Sequence, residues 1–246
     1  MSTIPKVIHY CWFGGNELPR SAKRCIASWK KYMPQYEIKE WNETNFDIHC
    51  CKYVEEAYKN KKWAFVSDFA RFRILYEEGG IYLDTDVEII KPLHNIVEQG
   101  SFMGRQHNCF VNPGLIMAFT PKNELLGELL ELYCTLNFVE EDGSLNLKTI
   151  VQYTTEMLEK YGLRITDEFQ NVAGINIYPQ EYFSPKDPVF KTINISENTY
   201  TIHHFDGTWL PIKNRVKCKI QSILGPQITG AFVDLKHFFK DKRDTK

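Results

Sequence analysis

The segment from Trp63 to Ile90 restricts the fold more than any other part of this 246-residue chain. Phe65, Phe69, Phe72 and Tyr76 recur at i, i+4, i+7 and i+11, one face of a 3.6-residue period, so Trp63 to Glu78 is predicted helical. Gly79-Gly80 supplies the stop, because a left-handed residue after the last turn costs least at glycine. Ile81-Tyr82-Leu83 then reads as a short strand. Asp84-Thr85-Asp86 and a second β-branched run, Val87 to Ile90, follow it, and Pro92 closes the unit. A helix that passes through two glycines directly into an apolar strand belongs to a layered α/β structure.

The remaining periodicity agrees. Ile4 to Phe13 reads as a buried first strand ending at Gly14-Gly15, Pro19 to Tyr32 as a helix, and Tyr36 to Trp41 as the second strand. Phe110 to Phe119 is strand-like but broken by Pro113-Gly114. Helices are expected over about Asn123 to Asn137 and Leu147 to Tyr161, and short strands near Ile175 to Tyr178 and Thr199 to His203. The expected architecture is a mostly parallel, Rossmann-like sheet flanked by helices.

Charge divides the chain unevenly. Its net charge of -1 argues against a bulk attraction to nucleic acid. From Lys213 onward, however, nine basic residues stand against three acidic ones, so the acidic excess lies in the first 212. This predicts a domain over 1–212 and a basic amphipathic appendage over 213–246. In the appendage Val216, Ile220, Ile223 and Leu224 form one apolar set and Phe232, Leu235, Phe238 and Phe239 a second. The appendage either lies on an anionic membrane surface or packs on the domain as a helix pair. Seven cysteines without a CxxC pair suggest neither a disulfide framework nor a zinc site. With no leader-like start and no run of ~18 apolar residues, the expectation is a reduced cytoplasmic protein, peripheral to a membrane if the tail binds one.

Asp84 and Asp86 sit one residue apart at a strand's end, where alternation puts both carboxylates on one side. Such a pair suits a hard divalent cation, Mn²⁺ or Mg²⁺, which prefers oxygen ligands and is often completed by substrate phosphates. A solvated Asp-x-Asp turn is the plain alternative. Asp68 and Arg71 share a helix face, away from the Phe65/Phe69/Phe72 stripe, either as groups aimed at the carboxylates or as a simple ion pair. Asn112, before Pro113-Gly114, is a candidate for contacting a sugar, or simply a turn former.

The whole run from Ser67 to Val87, with Asp68, Arg71, Gly79-Gly80 and Asp84-Thr85-Asp86 inside it, resembles the core signature of the family 32 group, the DxD sugar-binding glycosyltransferases. That group includes initiating α-mannosyltransferases and bacterial capsule and lipopolysaccharide enzymes, and it is distantly similar to the glucosylating domain of large clostridial toxins. Ile4 to Gly15 resembles the family's nucleotide-binding first strand, and Thr199 to Trp209 its closing His-His-x-x-x-Ser-Trp segment. Here Thr208 replaces the usual Ser and keeps the hydroxyl, and Asp206-Gly207 replaces small apolar residues.

The resemblance implies a GT-A type fold and a retaining, divalent-metal-dependent hexosyltransferase. Its donor would be a nucleotide sugar, with a UDP-hexose favoured. Its acceptor would be a saccharide or lipid-linked saccharide in bacterial surface polysaccharide synthesis. Asp86 would hold the metal directly, and Asp84 through water or the ribose. One of the two adjacent histidines would complete the set, and His204 is the one expected. Arg71, Thr208 and Trp209 would face the β-phosphate, Asp68 the sugar hydroxyls, and Tyr82 the carboxylates or the ribose. Trp12 would lie by the base, with the backbone of Tyr10 and Cys11 hydrogen-bonding it. Two other readings use the same residues: a metal-dependent hydrolase of sugar nucleotides or phosphodiesters, and an inactive carbohydrate-binding protein.

Overall fold

A computed structural model describes residues 3–187 and 192–207. In chain order, β1 (Val7–Cys11) leads to α1 (Arg20–Tyr32), β2 (Glu37–Trp41), α2 (Lys52–Lys59) and α3 (Trp63–Glu78). Next come β3 (Gly80–Tyr82), β4 (Val87–Ile89), α4 (His94–Val97), β5 (Phe102–Gly104) and β6 (Met117–Phe119). α5 (Glu124–Thr135), α6 (Ile150–Lys160), β7 (Gln170–Val172), β8 (Ile175–Tyr178), α7 (Gln180–Phe183) and β9 (Thr201–His203) complete the described part. The predicted basic tail, 213–246, lies outside the described residues, as do Thr208 and Trp209 of the closing segment. Among the described residues no helix is long and apolar enough to cross a membrane.

One seven-stranded sheet, ordered β2-β1-β3-β6-β5-β8-β7, forms the frame. β1 pairs in parallel with β2 and β3, and β5 with β8, while β6 and β7 run against their neighbours. Most strands therefore share one direction, as the Rossmann-like expectation requires. A second, two-stranded ladder joins β4 to β9 antiparallel, with Val87 opposite His203. Two apolar cores flank the main sheet. One gathers α2, α3, α5 and α6 around Phe69, Phe72 and Tyr133, and the other gathers α1 and β4 around Trp29, Ile81 and Val87.

The glycine pair after α3 is a steric requirement. Gly79 caps the helix at φ +67° and Gly80 follows at φ +101°, both in the region that favours glycine. A Cβ on Gly79 would meet Pro121 Cδ at 2.6 Å, and one on Gly80 would meet the Val7 carbonyl at 2.8 Å. His9 locks this corner. Its Nδ1 accepts from Trp41 Nε1–H at 3.0 Å and its Nε2–H donates to the Gly79 carbonyl at 2.9 Å, tying β1, β2 and the end of α3 together. Burial brings the ring down to about 4, so the imidazole stays neutral.

Three expectations need correction. α3 is not apolar along one stripe alone: Val66, Ala70, Ile74 and Leu75 are buried too, and Asp68 and Arg71, on the shared face expected of them, are buried with them. The reason is that α2 and α5 cover the side of α3 that the sheet leaves open. Phe110–Phe119 is a strand only at Met117–Phe119, because the Leu115 N–H donates to the Asn112 carbonyl at 3.1 Å and turns the chain through Pro113-Gly114. Finally α2, β5 and β7 were not anticipated, being too short to show a period.

Candidate functional site

The carboxyl ends of the parallel strands converge on one acidic cluster. The β1–β3 ladder ends with the Leu83 N–H donating to the His9 carbonyl at 3.1 Å, and Asp84 follows at once, held by its own N–H on the Gly114 carbonyl at 3.2 Å. Val87 then starts β4, which α1 fixes from behind: Trp29 Nε1–H donates to the Val87 carbonyl at 2.7 Å and the Ile89 N–H donates to Ser28 Oγ at 2.9 Å. Asp84 and Asp86 are thus displayed between two anchored strands.

Arg71 organises the buried side. Its Nε donates to the Ser67 carbonyl at 3.1 Å, which aims the guanidinium across the helix. Nη2 lies 3.2 Å from Asp68 Oδ1 and 3.1 Å from Asp84 Oδ1, and Nη1 lies 3.4 Å from Asp84 Oδ2. One guanidinium therefore pairs with two carboxylates, and it also stacks 4.7 Å from the centre of the Tyr82 ring. The Tyr82 hydroxyl donates to Asp84 Oδ1 at 3.1 Å, so this side chain braces the carboxylate. Burial pushes the Asp68 carboxyl up to about 7, against the pull of Arg71 and of the Ile150 N–H that opens α6. Burial also raises Asp84, with Arg71 opposing it.

Asp86 is different. Burial disfavours its charge, but the facing His203 ring and the Asp206 N–H outweigh that and hold the carboxyl down at about 2. His203 Nε2 lies 3.0 Å from Asp86 Oδ1, and the Asp206 N–H donates to Asp86 Oδ2 at 2.9 Å. Ligand atoms of Asp84, Asp86 and His203 all fall within 4.8 Å of one another. Two carboxylate oxygens and an imidazole nitrogen at that spacing fit a divalent cation of the Mn²⁺ or Mg²⁺ type.

The expected histidine is corrected here. The two rings point opposite ways, and His203, not His204, meets the carboxylates. The antiparallel β4–β9 register sets His203 opposite Val87, next to Asp86. His204 donates its backbone N–H to the Asp86 carbonyl at 2.9 Å, and its ring turns to Glu88 Oε2 at 2.8 Å. The pairing of β9 with the strand after the Asp-x-Asp would have identified His203, but no local pattern encodes that pairing.

The other candidates lie around this centre to different degrees. Asn112 is buried; its Oδ1 accepts from the Gly114 N–H at 2.8 Å and its Nδ2 donates to Gln106 Oε1 at 2.8 Å. Gly114, which was not anticipated, leaves open the space where a Cβ would strike Asp84 Oδ2 and come within 3.1 Å of Arg71 Nη1. Cys11 is buried within hydrogen-bond reach of the Tyr82 hydroxyl, on the cluster's side of β1. Tyr10 points to the opposite face, its ring 5.8 Å from Trp29 and its hydroxyl donating to Glu40 at 2.5 Å. Trp12 is half-buried past the strand end, with Nε1–H on the Asn16 carbonyl at 2.6 Å.

Comparison with known proteins bears on the same stretch. Residues 19–103 match the model of the glycosyltransferase sugar-binding region containing a DXD motif. An uncharacterized glycosyltransferase of Acanthamoeba polyphaga mimivirus is 31% identical over 120 residues, 44% of this chain and 47% of that protein. Lactosylceramide 4-alpha-galactosyltransferase of Pan troglodytes is 29% identical over 122 residues, 49% of this chain and 32% of that enzyme. Inositol phosphoceramide mannosyltransferase 3 of Schizosaccharomyces pombe is 29% identical over 112 residues, 42% of this chain and 30% of that enzyme. The matched stretches span half or less of these relatives. Asp68, Arg71, Asp84 and Asp86 all fall inside the family match, so the part of the chain that is similar to the DXD-containing sugar-binding region of glycosyltransferases is the part that carries these four residues.

Proposed function

We propose that the protein is a metal-dependent, retaining glycosyltransferase that moves a hexose from a nucleotide sugar to a saccharide or lipid-linked saccharide. The single observation behind this reading is the convergence of Asp84, Asp86 and His203 within 4.8 Å, beside an arginine already paired to Asp68 and Asp84. A Mn²⁺ or Mg²⁺ ion held by these three residues would supply Lewis-acid neutralisation of a diphosphate leaving group. Arg71 adds a fixed cation beside that charge, in a buried setting where electrostatic interactions are strong. Asp68, buried against Arg71 and the start of α6, would accept from sugar hydroxyls, and Asn112 is assigned to the donor sugar or the acceptor. Thr208 and Trp209 are assigned to the diphosphate as hydrogen-bond donors. Trp12, with the backbone of Tyr10 and Cys11, takes the base, and a UDP donor is favoured.

No carboxylate in this reading serves as a covalent nucleophile, because Asp84 and Asp86 are committed to the cation and Asp68 to Arg71. Retention then follows from attack on the face the diphosphate leaves, with a diphosphate oxygen taking the acceptor's proton. The named substrates of two relatives, lactosylceramide and inositol phosphoceramide, are lipid-borne, which supports a lipid-linked acceptor here; its use in surface polysaccharide synthesis rests on the sequence resemblance alone. A cytoplasmic enzyme whose basic tail rests on an anionic membrane would meet such an acceptor.

The test incubates the full chain with UDP-galactose, UDP-glucose, UDP-N-acetylglucosamine and GDP-mannose, with Mn²⁺, Mg²⁺ or EDTA, with and without a panel of glycosides and glycolipids. Acceptor-dependent nucleotide release that EDTA abolishes, and an α-linked product by NMR, are expected. Donor loss at the same rate without any acceptor would instead indicate the hydrolase. A donor panel that never raises the melting temperature would indicate the inactive binding protein.

A further inference from the structure

The outward side of α1 is a line of cations. Arg20, Lys23, Arg24, Lys30 and Lys31 are exposed, while Ala22, Cys25, Ile26 and Trp29 are buried on the other side of the helix. At 3.6 residues per turn the five cations fall within an arc of about 120°, with exposed Ala27 near its middle, along a helix about 20 Å long. None of the five joins an ion pair among the described residues, and no acidic residue occurs from Leu18 to Tyr36. Asp86 and Glu88, on the β4 side of the helix, are taken up by His203 and His204. The placement also works against the helix itself. Arg20, Lys23 and Arg24 stand at the positive end of the helix dipole, the first turn holds no acid, and Pro19 gives no side-chain cap bond. A helix that forgoes these local gains keeps its positive face for another use.

We propose that this face docks the protein on an anionic phospholipid surface by charge alone. Charge complementarity selects the occupant. The face carries no large apolar side chain to seat in a protein partner's pocket or to enter the acyl layer. A fluid layer of anionic headgroups needs no fixed register, since lipids can gather under each cation in turn. A nucleic acid would find an overall charge of -1 and no aromatic ring on this face to stack a base. The contact is separate from the basic tail, because α1 belongs to the sheet domain and carries part of its site. Trp29 Nε1–H holds the Val87 carbonyl at 2.7 Å and Ser28 Oγ accepts from the Ile89 N–H at 2.9 Å, so α1 and the strand that follows Asp86 move as one body. Docking through α1 would hold that strand about one helix diameter, ~10 Å, from the face that meets the lipid. The use of such docking rests on the lipid-linked acceptor inferred above; the binding itself does not.

Co-sedimentation of the full chain with vesicles of equimolar phosphatidylglycerol and phosphatidylcholine, against vesicles of phosphatidylcholine alone, tests this. The wild type should bind the anionic vesicles only and be released at ~1 M salt, where the screening length falls to about 3 Å. Each Lys or Arg at such a surface contributes up to about fivefold in affinity, so Lys23→Gln/Arg24→Gln/Lys30→Gln/Lys31→Gln should weaken binding by roughly 100-fold. Glutamine matches lysine and arginine as a helix former, so the melting temperature should hold. The charge-matched control Lys52→Gln/Lys59→Gln/Lys61→Gln/Lys62→Gln, on and just after α2 at the other apolar core, should bind as the wild type does. A wild type that ignores the anionic vesicles, equal losses in the two variants, or undiminished binding in the α1 variant would each overturn the proposal. Tighter retention of the wild type on duplex DNA or RNA than on the vesicles would overturn it too. None of these measurements uses a sugar donor or an acceptor. A protein that transfers no sugar yet binds vesicles through α1 would refute the proposed activity and leave this surface standing.

Discussion

Gly114→Ala makes the sharpest demand on the geometry of the site. Gly114 is not in the left-handed region, so the backbone accepts alanine and only the added methyl matters. That methyl falls on Asp84 Oδ2 and lies 3.1 Å from both Arg71 Nη1 and Asn112 Oδ1. Ordinary contact requires the carboxylate to retreat by about 1 Å. Such a shift breaks the 3.1 Å bond from Tyr82 and stretches the Arg71 contacts, now 3.1 and 3.4 Å. Overpacking and a weakened charge-assisted pair together cost about 2–3 kcal/mol of stability. Turnover should fall more steeply, by ~100-fold, because a misplacement near 1 Å at the reacting centre has that effect. Urea unfolding and acceptor-dependent nucleotide release measure the two quantities on one preparation. Gly127→Ala is the control: it lies within α5, its added Cβ comes no closer than 3.4 Å to Tyr76, and it should gain about 0.5–1 kcal/mol. If Gly114→Ala kept normal turnover while folded, Asp84 would not be held where the account requires it.

Three further outcomes are expected. His203→Ala should raise the Mn²⁺ needed for half-maximal activity at least tenfold, whereas His204→Ala, which loses ring contacts to Glu88 and Lys186 and none to the Asp pair, should change it little; equal effects would return the ligand assignment to His204. Arg71→Lys should lose roughly 10–100-fold in turnover at unchanged fold by circular dichroism, since one ammonium cannot span Asp68 and both oxygens of Asp84. The neutral, buried His9 adds a pH dependence of defined sign: its stabilisation is complete above pH 6.5 and is lost as pH falls to about 4, because the unfolded chain takes the proton first. The loss is roughly 3 kcal/mol. Asp68, raised to about 7, has the opposite sign over an overlapping range, favouring the fold below 3.8 and losing that contribution as pH rises. Comparing wild type with His9→Gln isolates the histidine, and parallel stability–pH curves for the two would refute its role.

Local chemistry was readable where it repeats or where only one residue type fits. The aromatic period of α3, the glycine pair and the Asp-x-Asp after an apolar tripeptide each carry their own signal, and the structure puts Asp68, Arg71, Tyr82, Asp84 and Asp86 together from them. What was not readable depends on contacts between distant segments. The choice of His203 over His204 is set by β9 pairing with β4, more than a hundred residues earlier, and adjacent histidines look alike until that register is known. The burial of Asp68 and Arg71 reflects the cover given by α2 and α5, of which α2 was too short to announce itself. Gly114 resembled an ordinary Pro-Gly turn; its second role, leaving space beside Asp84, exists only once β3 and the 112–115 turn are side by side.

The most direct measurement is an anomalous difference map at the manganese edge, from a crystal of the protein grown with UDP and Mn²⁺. The account predicts a peak at coordination distance, about 2 Å, from an Asp86 oxygen and from His203 Nε2, with diphosphate oxygens completing the shell and Asp84 alongside. A peak seated instead between His204 and Glu88, or UDP bound with the Asp86 and His203 side chains still paired to each other and no metal between them, would contradict it.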